Sequence, residues 1–189
     1  MKVDGRRARA ERTRQAIVAA VLALVKEGDP APTAAAIARR AGVSVRSIAQ
    51  HFPTRAALFA AASSSYHARP AAPEPPATGA AGDRLAALLA QRGQELERSR
   101  PVRASAARFA QDFEVVAAAV AESAERRRGV VARVFAAETA HDRDLLELLD
   151  LVLGGRVWDA LRERGVPPAR ARALVERLAR ALLERPPRT

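Results

Sequence analysis

Apolar residues recur along this chain at intervals of three and four, the spacing that lines one face of an α-helix. No extended alternation of the kind a half-buried strand needs is present. Between about Glu11 and Lys26, residues Ile17, Val21, Leu24 and Val25 form one such stripe, closed by Gly28-Asp29-Pro30. A basic stretch, Arg6 to Arg14, precedes it and reads as an arm that frays at its start. Two short helices are predicted near 33–41 and 44–51. Pro53 then breaks the chain, and Thr54 can cap a fourth helix that carries Leu58 and Phe59 inward to about Tyr66. Arg69 to Gly82 holds four prolines and two glycines and reads as a linker or loop. Past it, Leu85, Leu88, Leu89 and Leu96 mark a helix near 83–98, stopped by Pro101. Phe109, Phe113, Val116 and Val120 mark another near 102–121, and Val130, Val131, Val134 and Phe135 a third near 124–139. The last two run over roughly 142–164 and 168–184, separated by Gly165-Val166-Pro167-Pro168. The fold class predicted is all-α.

The stretch Thr33 to Leu58, TAAAIARRAGVSVRSIAQHFPTRAAL, carries the most local information. Thr33 can cap its first helix, whose inner face is Ile37, Ala38 and Ala41. Gly42 stands where a C-terminal cap needs positive φ, and Ser44 can cap the second helix. Ile48 and Phe52, four apart, share the inward face. Val45, Arg46, Ser47, Ala49 and Gln50 are left outward: small, polar or cationic, as an element entering a DNA major groove requires. The pattern is a helix-turn-helix.

These residues resemble the tetracycline-repressor (TetR/AcrR) family closely over Thr33–Leu58 and more loosely back to Arg12. The resemblance is carried by Thr33, Ile37-Ala38, Ala41-Gly42-Val43-Ser44, His51-Phe52 and Arg55 at fixed spacing. Ala49 departs from it, standing where family members usually carry a Tyr that contacts the DNA backbone. Beyond about residue 68 the likeness is one of architecture. It implies an N-terminal three-helix DNA-binding domain over 1–68 with a basic arm, the 69–82 connection, and a helical effector-binding and dimerisation domain over 83–189.

Charge and composition sharpen this picture. Residues 1–69 hold 12 Lys/Arg against 4 Asp/Glu, while the remainder holds 20 against 17. The basic excess sits on the helix-turn-helix segment, as a phosphate-neutralising surface would; a solvated charged end is the plainer alternative. Arg outnumbers Lys 30 to 2, which a GC-rich genome would also produce. There is no Cys, so disulfides and Cys-ligated zinc are excluded. A polar N-terminus and the lack of any apolar run near ~18 residues predict neither a secretory leader nor a membrane span, and a cytoplasmic, nucleoid-associated location fits.

Specific roles can be assigned to the DNA-facing residues. Arg46 can donate two hydrogen bonds to guanine O6 and N7, or contact a phosphate. Gln50 suits adenine or the backbone, Val45 a thymine methyl, and Ser47 a base or phosphate. Thr33 and Ser44 cap helices, and Thr33 can also meet a phosphate. By the resemblance, His51 contacts the DNA backbone, unless it is half-buried and idle, and Arg55 clamps the flanking phosphate. Arg6, Arg7, Arg9, Arg12 and Arg14 add salt-screened contacts.

One such module reads few base pairs, so a twofold homodimer on double-stranded DNA is expected. The helix at 142–164 is apolar on more than one stripe. With the helix at 168–184 it supplies the candidate dimer seam: Leu145, Leu149, Val152, Leu153, Leu174 and Leu178. Gly154-Gly155 permits either close helix approach there or a mid-helix kink. The resemblance also implies a small-molecule pocket, for which Leu89, Phe109, Phe113, Val116, Phe135 and Trp158 are candidates for a small apolar effector. Ordinary core packing is the plainer reading of each. No cofactor, metal set or catalytic constellation is predicted: His51, His67 and His141 form no metal-spaced pair, and there is no phosphate loop or nucleophile elbow. The expectation is a DNA-binding regulator, a repressor by family habit, released from a palindromic operator by an effector. The rivals are a regulator without a small effector, governed by a protein partner or by abundance, and a helical enzyme or adaptor.

Overall fold

The computed structural model describes residues 2–67 and 75–184, with side chains over 5–66 and 75–184. Its helices are α1 (Lys2–Lys26), α2 (Ala34–Ala41), α3 (Val45–His51), α4 (Arg55–His67), α5 (Ala81–Asp112), α6 (Glu114–Val134), α7 (Ala136–Thr139), α8 (Arg143–Leu153), α9 (Gly155–Glu163) and α10 (Pro168–Leu183). No strand occurs among the described residues, so the class is all-α, as the periodicity predicts. Of the proposed 69–82 connection, the part up to Glu74 lies outside the described residues, and α5 takes up its end from Ala81.

These helices form two compact units. One holds the described residues up to 67 together with 101–123; the other holds 75–100 and 124–184. Residues 101–123 therefore pack with the N-terminal helices, although the sequence pattern groups them with the helices beyond residue 83.

In the first unit, α1 packs on α2 and α4. Ile17, Val21, Val25, Ile37, Ile48, Phe52, Leu58 and Phe59 share one core with Val102, Phe109 and Val116. Each such side chain contributes roughly 1.5–3 kcal/mol on full burial. The basic stretch expected as an arm is helical from Lys2. From Arg6 to Lys26 it holds no Gly or Pro, and its Ala, Arg and Glu are strong helix formers. The α1–α2 turn is built by Gly28 at φ 102° and by Asp29, whose Oδ1 accepts from Ala31 N–H at 3.0 Å.

Pro101 does not stop a helix, contrary to expectation: α5 runs through it. An internal Pro costs about 3 kcal/mol, and burial of Leu96 before it and Val102 and Phe109 after it outweighs that. Ser99, itself buried, donates from Oγ to Glu95 O at 2.7 Å one turn ahead of the proline. The helices expected at 102–121 and 124–139 are also redrawn. The break comes at Phe113, and α6 is continuous from Glu114 to Val134, with no Gly or Pro before Gly129, through which it runs.

In the second unit, Leu85, Leu88, Leu89, Val131, Phe135, Leu149, Leu153, Trp158, Ala171 and Val175 form the core. The helix expected over 142–164 is two helices. Asp142 caps α8, its Oδ1 accepting from Leu145 N–H at 2.9 Å, and Gly154 ends α8 in extended backbone at φ −81°, ψ 168°. A Cβ on Gly154 would lie 2.9 Å from Asp150 O. The Gly-Gly pair is thus a break between α8 and α9. Arg92 fills the carbonyls beside it, its Nη1 donating to Leu153 O at 3.4 Å and Nη2 to Arg127 O at 2.7 Å. Burial drives its guanidinium down to about 10, partly offset by the negative charge of Asp150. Arg84, 5% exposed, donates to Gly79 O, Val134 O and the Glu138 carboxylate, closing the end of α6.

Candidate nucleic-acid interface

Local chemistry builds α2 and α3 as the spacing predicts. Thr33 Oγ1 accepts from Ala36 N–H at 3.2 Å, and Ser44 Oγ from Ser47 N–H at 3.0 Å. Between the helices Gly42 sits at φ 67°, and Val43 N–H reaches Ala38 O at 3.0 Å, a left-handed cap that satisfies the end of α2. Thr54 repeats the device for α4, accepting from Ala57 N–H at 3.1 Å. In each cap the hydroxyl spends a lone pair, so its O–H stays available as a donor.

Burial sorts α3 into two faces. Ile48 and Phe52 are buried, whereas Val45, Arg46, Ala49 and Gln50 are exposed. Val45 at 50% exposure is a large apolar side chain that its own unit leaves uncovered. Thr33 and Ser44 are exposed, and Ser47 and His51 are half-buried. Arg46 has no ion pair among the described residues. An exposed face of two small or medium apolar side chains, one polar and one cationic, flanked by two hydroxyl-capped helix N-termini, suits a groove lined by phosphates.

The cations around α3 are less free than their count suggests. Arg14 lies over the Phe52 ring, 4.7 Å from its centroid, and Lys26 lies 5.8 Å from that of Tyr66. Arg40 forms a two-pronged ion pair with Glu27, whose hydrogen bond from Arg40 holds the Glu27 carboxyl below its ordinary range. Arg55, expected at a phosphate, donates from Nη2 to Ala31 O at 3.1 Å and lies over the rings of Phe59 and Phe109, 5.5 and 5.1 Å from their centroids. Phe109 sits 54 positions away, and no local motif signals the pairing.

The six candidate effector-pocket residues do not share one cluster. Leu89, Phe135 and Trp158 belong to the core of the second unit; Phe109 and Val116, with Phe113 against them, belong to that of the first. Phe109 and Val116 also line a small cavity of about 20 Å³ together with Val21, Phe59 and Ser63. That holds about one water and no effector. Among the candidate dimer residues, Leu149, Val152 and Leu153 are buried in their own protomer, Leu145 and Leu174 are half-buried, and Leu178 is exposed. The uncovered neighbours are Leu148 and Leu151. Among the described residues no cluster of three His, Cys, Asp or Glu converges as a metal site, and no helix is long and apolar enough to cross a membrane.

Residues 17–62, from the middle of α1 into α4, match the family model of bacterial regulatory proteins, tetR family. No curated protein and no solved structure matches the chain. The matched stretch holds the α2 and α3 caps, the buried Ile48–Phe52 face and the exposed α3 surface, and over it the chain is similar to the DNA-binding part of tetR-family bacterial regulatory proteins.

Proposed function

We propose that the chain acts as a homodimeric repressor on a palindromic operator, and that a small apolar effector releases it. The observation that carries the DNA-reading part is the exposed face of α3: Val45, Arg46 and Gln50 stand outward on a helix locked by Ile48 and Phe52. Arg46 reads a guanine, Gln50 an adenine, Val45 a thymine methyl, and Thr33, Ser44, Ser47 and His51 hold phosphates. Support for the dimer comes from Leu148, Leu151 and Leu178, exposed at 38%, 53% and 48% on the packed pair α8 and α10. A second copy is the natural cover for such a patch. Leu149, Val152 and Leu153 serve that seam from beneath, as the packing that holds α8 rigid.

Selection of bound duplexes from a random pool tests the whole reading. The expected product is an inverted repeat with half-sites about one helical turn, ~34–36 Å, or a multiple of it apart. Arg46→Ala should cost about 1–3 kcal/mol on the selected site and relax preference at one position of each half-site. Selected sites without twofold symmetry would refute the dimer, and unchanged affinity on Arg46→Ala would refute α3 as the reading element.

One observation favours a second reading, a regulator governed by a partner protein or by abundance. Every candidate for the effector pocket already serves as core or packs against it. Titration with hydrophobic and aromatic compounds against the protein–operator complex separates the two, since only the first reading predicts release.

A further inference from the structure

We infer that Arg55 is a positioning residue that pins the turn before α2, and not a phosphate clamp. Two hydrogen bonds reach that turn within the first unit, and ring contacts hold one of their donors. Ser105 Oγ, on the last turns of α5, donates to Pro30 O at 2.8 Å. Arg55 Nη2 donates to the next carbonyl, Ala31 O, at 3.1 Å. The same guanidinium covers Phe59 and Phe109, whose rings lie 3.9 Å apart, centroid to centroid. The turn held in this way ends at Thr33, the cap of α2 and one of the hydroxyls proposed to meet a phosphate. A planar guanidinium can lie flat on two rings while one edge donates to a carbonyl; an ammonium cannot do both. With Nη2 on Ala31 O and its plane over two rings, the guanidinium is oriented toward the turn. Its effect on DNA therefore runs through the placement of Thr33 and α2.

The inference rests on the DNA-binding reading only for the salt arm of its test; the thermal arm needs no DNA. In the thermal arm, Arg55→Gln, Phe109→Leu and the double variant are unfolded by heat. Coupling is expected: Arg55→Gln lowers the midpoint of the parent protein and has less than half that effect once Phe109 is Leu. Arg55→Lys should lose as much as Arg55→Gln despite keeping its charge. Additive losses, or a Lys variant that melts like the parent, overturn the latch. Should Phe109→Leu fail to fold, the Lys and Gln comparison at position 55 decides alone. In the salt arm, affinity for a duplex selected by the parent protein is followed against salt. Removing one phosphate contact reduces the slope of log affinity on log salt by about 0.9. Arg55→Gln is expected to weaken binding by a similar factor at every salt concentration with the slope unchanged. A slope lowered by that amount, with Arg55→Lys restoring it, makes Arg55 a clamp and sinks the inference. A parent protein that binds no duplex refutes the DNA reading and leaves the thermal result to stand on its own.

Discussion

Removing the Glu97 carboxylate should loosen the second unit in a way that its only tryptophan reports directly. Glu97 Oε2 accepts from Trp158 Nε1 at 2.9 Å, and Arg162 donates to the same carboxylate from Nε and Nη2 at 3.0–3.2 Å. Arg162 also donates to Val166 O, so one carboxylate ties α5 to α9 and to the turn before α10. Trp158 is 2% exposed. Leaving its N–H without an acceptor costs about 1–3 kcal/mol. The Arg162 pair, with side chains 19% and 33% exposed, adds only about 0.2–1 kcal/mol because water screens it. Glu97→Ala should therefore lose about 1–4 kcal/mol, a drop of roughly 5–10 °C at the centre of that range for a chain of this size. Glu97→Gln keeps an acceptor for the indole and should lose about 1 kcal/mol or less. Heat unfolding followed by Trp158 emission and by circular dichroism measures both.

The same carboxylate sets a pH signature. The hydrogen bond from Arg162, reinforced by the one from Trp158, holds Glu97 below the 4.5 of a free glutamate. Between the folded value and 4.5 the unfolded chain binds the proton and the folded protein does not. The stabilisation from Glu97 is therefore full above that window and is lost as pH falls through it. Asp150 works in the opposite sense: burial raises its carboxyl above 3.8, so its contribution favours folding at lower pH. The difference between parent and Glu97→Gln, and not the parent curve alone, isolates the Glu97 effect and should shrink on acidification. A Glu97→Ala midpoint within about 2 °C of the parent, or a difference flat with pH, would refute the reasoning.

Gly42→Ala should cost about 1 kcal/mol, read as a lower unfolding midpoint. A Cβ there meets nothing within 4 Å, so the loss is that of holding Ala at φ 67° and not of a clash. Ser44→Ala removes the α3 cap and should cost about 0.5–2 kcal/mol, with faster amide exchange at Ser47; Ser44→Asp should restore protection. Leu151→Glu combined with Leu178→Glu should convert the proposed dimer to a monomer in sedimentation without loss of helicity, and unchanged sedimentation would place any self-association elsewhere.

The features legible in the sequence were the local ones. The caps of α2, α3 and α4 join residues three apart, and Gly42 marks its own backbone conformation, so the helix-turn-helix can be read from the spacing of Thr33, Gly42, Ser44 and Thr54. Pro101 misled because helix propensity weighs one residue, whereas the outcome turned on side chains such as Val102 and Phe109 that are buried by partners far off in sequence. Gly154-Gly155 allowed two geometries, and Arg92, 61 residues before the Leu153 carbonyl it reaches, goes with the break. The split of the effector candidates had no signal either: Phe109 and Phe135 look alike in a periodic pattern, and only the folded cores separate them.

That separation changes how the charge of the first unit must be read. A count of 12 cations over residues 1–69 suggests many hands for phosphates, yet Arg14, Lys26, Arg40 and Arg55 each have an intramolecular partner. Of these only Arg40 is neutralised by an acid; the other three keep their charge while losing freedom of direction. A charge held over an aromatic ring still draws a duplex from a distance and still releases counterions, but it cannot reach for a chosen oxygen. On the proposed DNA-binding reading, directional recognition is expected from Arg46 and Gln50 on α3 and from the hydroxyl-capped starts of α2 and α3, whose donors are set by the backbone and need no side-chain ordering on binding. That reading assigns attraction and aim to different residues. Substitutions at Arg14 or Lys26 should slow association while sparing site preference, and substitutions at Arg46 should do the reverse.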